Sequence, residues 1–191
     1  MKTTIYMVRH AKAPYIFGQE QTRGLSEEGL AAARKVADIL AEVEVDYIIS
    51  SNYRRAVQTV QNLAERKGLP VIEFDQLRER AIIGLEYEAE WEDLLKAIEK
   101  SFADPDFALE GGESTREAQQ RAIPVIEELL NDHRGQNIVV GTHGNIMTII
   151  MNYYNKEFGF DFWRSISMPD IYKLTFTGNR LESVERVWEV I

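Results

Sequence analysis

Two spacings of apolar residues alternate along the chain. Short, continuous apolar runs, which are typical of buried strands, lie at residues 3–8, 45–50, 70–74 and 137–142. Apolar residues at helical spacing follow these runs, at residues 26–43, at about 53–66 and 114–131, and from about residue 145 onwards. Strands that alternate with helices predict an α/β fold, a three-layer α/β/α sandwich with a mostly parallel central sheet.

The pattern changes in two parts of the chain. Near its end, apolar runs at residues 171–176 and 181–188 flank the turn sequence TGN and predict two antiparallel strands at an edge of the sheet. Residues 80–113 are less regular, with one amphipathic helix around EWEDLLKAIEK between loops. Because no repeat or linker interrupts the sequence, we expect a single domain over residues 1–191, with a small lid insertion at about 80–113.

The helix predicted to begin at residue 114 opens with STRE, which has the spacing of a capping box. We therefore expect Ser114, and Glu113 before it, to shape the helix start, and contact with a phosphate is the lesser alternative. Pro124 lies inside this helix and should kink it, unless the helix prediction is wrong there.

Composition limits the classes of function. The chain has no cysteine, which excludes disulfides and thiolate metal sites and fits a reducing, cytoplasmic compartment. No apolar stretch approaches the ~20 residues that a membrane helix needs. A net charge of -9 disfavours binding to nucleic acid. If the protein binds an anion, its positive charge must therefore be concentrated locally.

Charged and imidazole side chains follow four of the predicted strands. They are Arg9 and His10 after the first strand, Arg54 and Arg55 after the second, Glu79 after the third and His143 after the fourth. Because ligands bind at the carboxyl ends of the strands in open α/β sheets, we expect a positive pocket there with one acid beside it.

Several of these positions also have a structural alternative. Arg9 and His10 alone could be solvated cations at a strand end, and His143 alone could bond a neighbouring carbonyl at a helix start. Their joint occurrence with an arginine and a carboxylate favours a functional site. Arg54 is expected to be a solvated helix charge, and His133, near a helix end, a structural or surface residue.

These residue types suit phosphoryl transfer without a metal. Arginine binds phosphate oxygens in bidentate geometry. A histidine can attack phosphorus and carry the phosphoryl group, while a nearby carboxylic acid protonates the leaving oxygen.

The order and approximate spacing of VRHA, SSNYRRAVQT, LRE, GGES and GTHG resemble those of the histidine phosphatase superfamily, the phosphoglycerate-mutase-like group. The resemblance runs from residue 5 to about residue 150. It implies that His10 is the phosphorylated nucleophile and that Glu79 is the proton donor. It also implies that Arg9, Arg55 and a protonated His143 are catalytic and bind the phosphoryl group, together with Gly144.

The sequence departs from the family pattern in several places. The usual glycine after the first Arg-His is Ala11, and the following AKAPYIFGQEQTRG lacks the asparagine typical of mutases. The common Gly-x-Trp-Glu-Gly segment is degraded to GLEYEAEWED, and the insertion that contains it is short. A short lid favours release and hydrolysis over retention of an intermediate.

The sequence therefore predicts a metal-independent phosphatase that hydrolyses a phosphomonoester, a small phosphorylated metabolite, through a phosphohistidine. No cofactor and no metal are expected. Two alternatives stay open: a phosphoglycerate-type phosphomutase and a phosphate-binding module without turnover. We expect a monomer or a homodimer.

Overall fold

A computed structural model describes residues 1–189. Its strands are β1 (Lys2–Arg9), β2 (Tyr47–Ser51), β3 (Ile72–Phe74), β4 (Asn137–Thr142), β5 (Asp170–Thr177) and β6 (Arg180–Arg186). Its helices are α1 (Glu27–Ile39), α2 (Arg54–Lys67), α3 (Trp91–Ala103), α4 (Thr115–Asp132), α5 (Gly144–Tyr154) and α6 (Phe160–Ser165). The sequence had predicted all of these elements except the short helix α6.

The six strands form one sheet in the order β3-β2-β4-β1-β5-β6. Strands β1 to β4 are parallel to one another, whereas β5 is antiparallel to β1 and β6 is antiparallel to β5. The predicted mostly parallel sheet and its antiparallel pair at one edge are confirmed. Arg9 lies opposite Thr142 of β4, so the residues that follow these two strands emerge side by side.

Helices cover both faces of the sheet. Since the side chains of a strand alternate between its two faces, neighbouring residues of one strand pack into different cores. Ile5 and Met7 of β1 pack into one core with α4 and α5, whereas Tyr6 and Val8 pack into a second core with α1 and α2. Strands buried on both faces explain the continuous apolar runs of the sequence. The three-layer α/β/α fold is confirmed.

Helix α4 begins with the expected capping box. The Ser114 hydroxyl accepts a hydrogen bond from the Glu117 backbone N–H, and the Glu117 carboxylate accepts one from Ser114 N–H. Glu113 pairs instead with Arg121, at 2.7 Å. The helix runs past Pro124 to Asp132, so the prediction of a helix here is correct.

The segment of residues 80–113, which the sequence predicts to be a lid insertion, is called the insertion below. Its two ends lie together, since Leu109 N–H donates to the carbonyl of Ile82 at 3.0 Å and Glu113 N–H donates to the carbonyl of Ala81 at 2.7 Å. Ile82 packs against Ala97 and Ile98 of α3 in a third apolar cluster. No helix within residues 1–189 is long and apolar enough to cross a membrane.

Candidate active site

His10 directly follows β1 and is 5% exposed. Its Nδ1 lies 2.7 Å from the carbonyl oxygen of Ala11, and its Nε2 lies 3.4 Å from Nε of Arg55. Both contacts fit one neutral tautomer, in which Nδ1–H donates to Ala11 and the Nε2 lone pair faces the guanidinium. Burial, followed by the charge of Arg55, lowers the pKa of His10 well below the ordinary histidine value. The ring is therefore held neutral, which is the state that a nucleophile needs.

Arg55 lies in the first turn of α2 and is 1% exposed. The helix also holds the loop after His10, because Thr59 accepts a hydrogen bond from Ala11 N–H at 3.0 Å and donates one to the Arg55 carbonyl at 2.7 Å. The spacing of Arg55 and Thr59 thus places the guanidinium and the loop backbone against the same imidazole. Burial is the largest cause that lowers the pKa of Arg55, and the charge of Glu20 opposes it.

His143 follows β4 and is fully buried, with its ring centroid 5.2 Å from that of His10. Its Nε2 lies 2.8 Å from the Ser51 hydroxyl, while Nδ1 has no hydrogen-bond partner within residues 1–189. Burial, followed by the charge of Arg55, lowers the pKa of His143 well below the ordinary histidine value. Burial thus favours the neutral ring, and a protonated His143 opposite a phosphoryl group stays a prediction.

Arg9 ends β1 and donates through Nη1 to the carbonyls of Ile166 and Ser167, each at 3.2 Å. Burial lowers the pKa of Arg9, and the charges of Glu79 and Asp170 oppose this effect. Gly144 explains how the guanidinium fits, because a Cβ at this position would lie 2.9 Å from Cζ, Nε and Nη2 of Arg9. The glycine after His143 thus lets Arg9 lie flat against the start of α5.

Glu79 is held at the N-terminus of α5 by three backbone groups. Its Oε2 accepts from Asn145 N–H at 3.0 Å, and its Oε1 accepts from Ile146 N–H and from Arg80 N–H, each at 2.8 Å. A carboxylate suits this position, because the first N–H groups of a helix are unpaired and carry partial positive charge. Glu79 is partly buried and lines a cleft together with Glu20, which pairs with Arg55, and Tyr53, whose ring packs edge-on against that of His143.

Two further residues of the site were not predicted. Glu20 binds Arg55, with its Oε1 2.5 Å from Nη2 and its carbonyl oxygen 2.5 Å from Nη1. Arg23 lies 3.5 Å from the other carboxylate oxygen of Glu20 and donates to the carbonyl of Ala13 at 2.9 Å. Both residues belong to a polar loop without periodicity, in which a charge ordinarily indicates only a solvated side chain.

Arg54 and His133 lie as the structural alternatives predicted. Arg54 is exposed on α2. His133 follows α4, where its Nδ1 lies 2.7 Å from Oε1 of Gln136 and its ring stacks on Tyr47 at 4.2 Å. Neither residue joins the histidine pair.

A cleft of about 1130 Å³ opens from Glu79 towards the insertion. One side is formed by the loop from Tyr15 to Arg23 with Tyr53, and the other by residues 79–91 and Leu94. Within residues 1–189, no three His, Cys, Asp or Glu side chains are grouped so that they could hold a metal ion. The arrangement is a pocket of two arginines, two imidazoles and one carboxylate, and it adjoins the cleft through Glu79, Glu20 and Tyr53.

Comparison with known proteins shows a relation to phosphatases. Residues 5–189 match the histidine phosphatase superfamily, branch 1. A metal-independent phosphoserine phosphatase of Arabidopsis thaliana is 30% identical over 160 residues, which cover 78% of this chain and 67% of that protein. A glucosyl-3-phosphoglycerate phosphatase of Mycobacterium tuberculosis is 29% identical over 168 residues, which cover 76% of this chain and 72% of that protein.

Solved structures agree on the fold. The structure of a mycobacterial glucosyl-3-phosphoglycerate phosphatase in complex with VO3 superposes with a TM-score of 0.78 and 24% identity, over 96% of this chain and 97% of that one. A phosphoserine phosphatase variant from Entamoeba histolytica, in complex with phosphoserine, gives a TM-score of 0.77 and 19% identity, over 95% and 96% of the two chains. The match over residues 5–189 shows that this chain belongs to the histidine phosphatase superfamily.

Proposed function

We propose that the protein is a metal-independent phosphomonoesterase that works through a phosphohistidine at His10. The observation that supports this most directly is the pair of contacts made by the His10 ring. The Ala11 carbonyl holds Nδ1–H at 2.7 Å, so the lone pair of Nε2 is directed into the cationic pocket. A buried, neutral imidazole in a fixed tautomer is an activated nucleophile.

Four groups would bind the phosphoryl oxygens. Arg9 and Arg55 supply the positive charge, and His143 supplies its unpaired Nδ1. The backbone of Gly144 lies at the start of α5, where N–H groups favour anions. Charge that spreads over the equatorial oxygens in the transition state is stabilised by such fixed donors.

The proposed reaction has two steps. Nε2 of His10 forms an N–P bond as the ester P–O bond breaks, and the Glu79 carboxylic acid gives its proton to the leaving oxygen. A water molecule then attacks the phosphohistidine and gives its proton to Glu79, which releases inorganic phosphate and restores His10. The three backbone N–H groups on Glu79 fix the carboxyl group beside the pocket for both proton transfers.

The substrate is proposed to be a small phosphorylated metabolite, as the names of the relatives indicate for those proteins. We propose that residues 80–113 act as the lid of a single domain, which is supported by the many residues of this segment that line the cleft. A cytoplasmic location, and a monomer or homodimer, stay predictions.

The test is hydrolysis of p-nitrophenyl phosphate in EDTA by the wild type, His143→Asn and the control His133→Asn. We expect metal-free turnover that falls by about 10²-fold or more in His143→Asn and stays near wild type in His133→Asn. A mutase is distinguished by incubation with 3-phosphoglycerate and 2,3-bisphosphoglycerate, which should give inorganic phosphate and no 2-phosphoglycerate. Absence of turnover with every ester would contradict the proposal.

A further inference from the structure

The exposed apolar side chains of this protein are concentrated at one place. Ten large apolar side chains are exposed within residues 1–189, and five of them line the cleft: Tyr15, Phe17, Leu85, Tyr87 and Trp91. Trp91 is 60% exposed and Tyr15 is 64% exposed, so neither is used to build a core. Exposed apolar side chains that cluster in this way are typical of a surface that binds a ligand or a partner.

The same walls carry the negative charge of three exposed glutamates. Glu86, Glu88 and Glu90 alternate with the apolar residues of the insertion, and all three are exposed. None of the ion pairs within residues 1–189 uses their carboxylates.

The two arginines of the cleft do not offset this charge. Arg23 is occupied by Glu20 and by the carbonyl of Ala13. Arg80 is 3% exposed and donates to Ser101 Oγ and Asn145 Oδ1, each at 2.8 Å. The outer cleft therefore presents aromatic faces and exposed carboxylates. Arg9 and Arg55, the proposed phosphate ligands, do not line it and adjoin it at Glu79 and Glu20.

This distribution of charge and apolar surface would orient a bound phosphomonoester. A phosphate bound by Arg9 and Arg55 would lie at the end of the cleft formed by Glu79 and Glu20, and the alcohol portion would extend between the aromatic walls. A flat apolar group gains contact area there. A carboxylate on the alcohol portion meets three like charges, which disfavours it. A volume of about 1130 Å³ exceeds what a phosphate alone needs and accommodates a ring.

We propose that the cleft selects phosphomonoesters whose alcohol portion is aromatic or extended and apolar and carries no negative charge. The inference rests on the proposed function and narrows its substrate class. It discriminates against phosphorylated carboxylic acids, although their phosphate would be bound by the same groups.

The test compares three alkyl phosphates, whose leaving alcohols have similar reactivity. They are 2-phenylethyl phosphate, glycerol 3-phosphate and 3-phosphoglycerate, assayed at one ionic strength. We expect kcat/KM for the phenylethyl ester to exceed that for 3-phosphoglycerate by about tenfold or more, with glycerol 3-phosphate between them. Added salt should reduce the difference in kcat/KM between the phenylethyl ester and 3-phosphoglycerate, because it screens the exposed carboxylates.

Variants of the two kinds of wall residue separate the two effects. Trp91→Ala and Tyr15→Ala should each lower kcat/KM for the phenylethyl ester about fivefold and leave glycerol 3-phosphate unchanged. Combined Glu86→Gln, Glu88→Gln and Glu90→Gln should raise kcat/KM for 3-phosphoglycerate about threefold and leave the phenylethyl ester unchanged. The control is Glu42→Gln, Glu44→Gln and Glu73→Gln, which removes three exposed glutamates that do not line the cleft.

The outcomes distinguish failure of this inference from failure of the proposed function on which it rests. If the wild type hydrolyses 3-phosphoglycerate and the phenylethyl ester with equal kcat/KM, the inference is overturned, but the proposed phosphatase function is retained. Equal effects of the triple variant and its control overturn it too, as do aromatic variants with unchanged selectivity. If no ester is hydrolysed by the folded wild type, the proposed function fails and the inference falls with it.

Discussion

Glu20 and Arg55 form the tightest ion pair at the candidate site, with Oε1 of the glutamate 2.5 Å from Nη2 of the arginine. The second terminal nitrogen, Nη1, donates to the main-chain carbonyl of Glu20, also at 2.5 Å. A phosphoryl group bound to Arg55 in bidentate fashion would use the same N–H groups. Glu20 and phosphate therefore compete for one guanidinium.

Glu20→Gln should consequently bind inorganic phosphate more tightly. The amide retains the size of the side chain but removes the charge that competes with the anion, and we expect Ki for phosphate to fall about tenfold. The measurement is product inhibition of p-nitrophenyl phosphate hydrolysis. Glu28→Gln is the matched control, because Glu28 is exposed and pairs with Lys12, away from Arg55. Weaker phosphate binding in Glu20→Gln would show instead that Glu20 orients Arg55 for its ligand.

Gly144→Ala should impair catalysis more than folding. The new methyl group would lie 2.9 Å from the Arg9 guanidinium, which must then move from its bonds to Ile166 and Ser167. We expect kcat/KM to fall by about tenfold or more, since a small displacement of a binding group is costly. Gly159→Ala is the control, because no atom lies within 4 Å of a Cβ there. Wild-type activity in Gly144→Ala would remove Arg9 from the proposed pocket.

Glu79→Gln should slow alkyl esters more than aryl esters. An alkoxide needs a proton as it leaves, whereas p-nitrophenolate leaves readily without one. We expect kcat for glycerol 3-phosphate to fall about 10²-fold to 10⁴-fold, with a smaller loss in formation of the phosphoenzyme from p-nitrophenyl phosphate. Glu113→Gln serves as the control, since Glu113 pairs with Arg121 instead. Equal losses for the two esters would exclude Glu79 as the acid.

The two buried histidines should make stability depend on pH. Burial lowers the pKa of both His10 and His143 well below 6.5 in the folded protein. Below pH 6.5 the unfolded chain therefore binds protons that the folded protein does not, and the free energy of unfolding falls as the pH decreases. Each histidine contributes up to about 1.4 kcal/mol per pH unit to this slope.

Denaturant unfolding at pH 6.5 and pH 5 measures the effect. His10→Asn should have a shallower slope than the wild type, because one of the two groups is gone. An NMR titration that found either imidazole protonating near pH 6.5 in the folded protein would contradict the account.

Much of this fold could be predicted from the sequence because it depends on local patterns. The apolar runs of β1 and β4 are continuous since both faces of each strand are covered, and the Ser114 capping box uses residues three apart. Helix α6 was missed because Phe160–Ser165 is too short to show a helical period.

The residues of the candidate site also differ in whether a local pattern predicts them. His10, Arg55 and His143 were predictable because each follows a strand, and the order of adjacent strands brings them together. Glu20 was not predictable, because its contact with Arg55 depends on the path of a loop. The lowered pKa of His143 was not predictable either, because it results from burial by tertiary packing, which no local pattern reports.

The most direct test of the central claim is a quench of the enzyme in alkaline SDS during turnover of ³²P-labelled phosphomonoester in EDTA, analysed for acid-labile, base-stable protein-bound phosphate. The account predicts that wild type and His133→Asn carry this label and that mass spectrometry locates it on His10. His10→Ala, folded as judged by circular dichroism, should carry none and should not turn over. Turnover by His10→Ala, or label on another residue, would contradict the account.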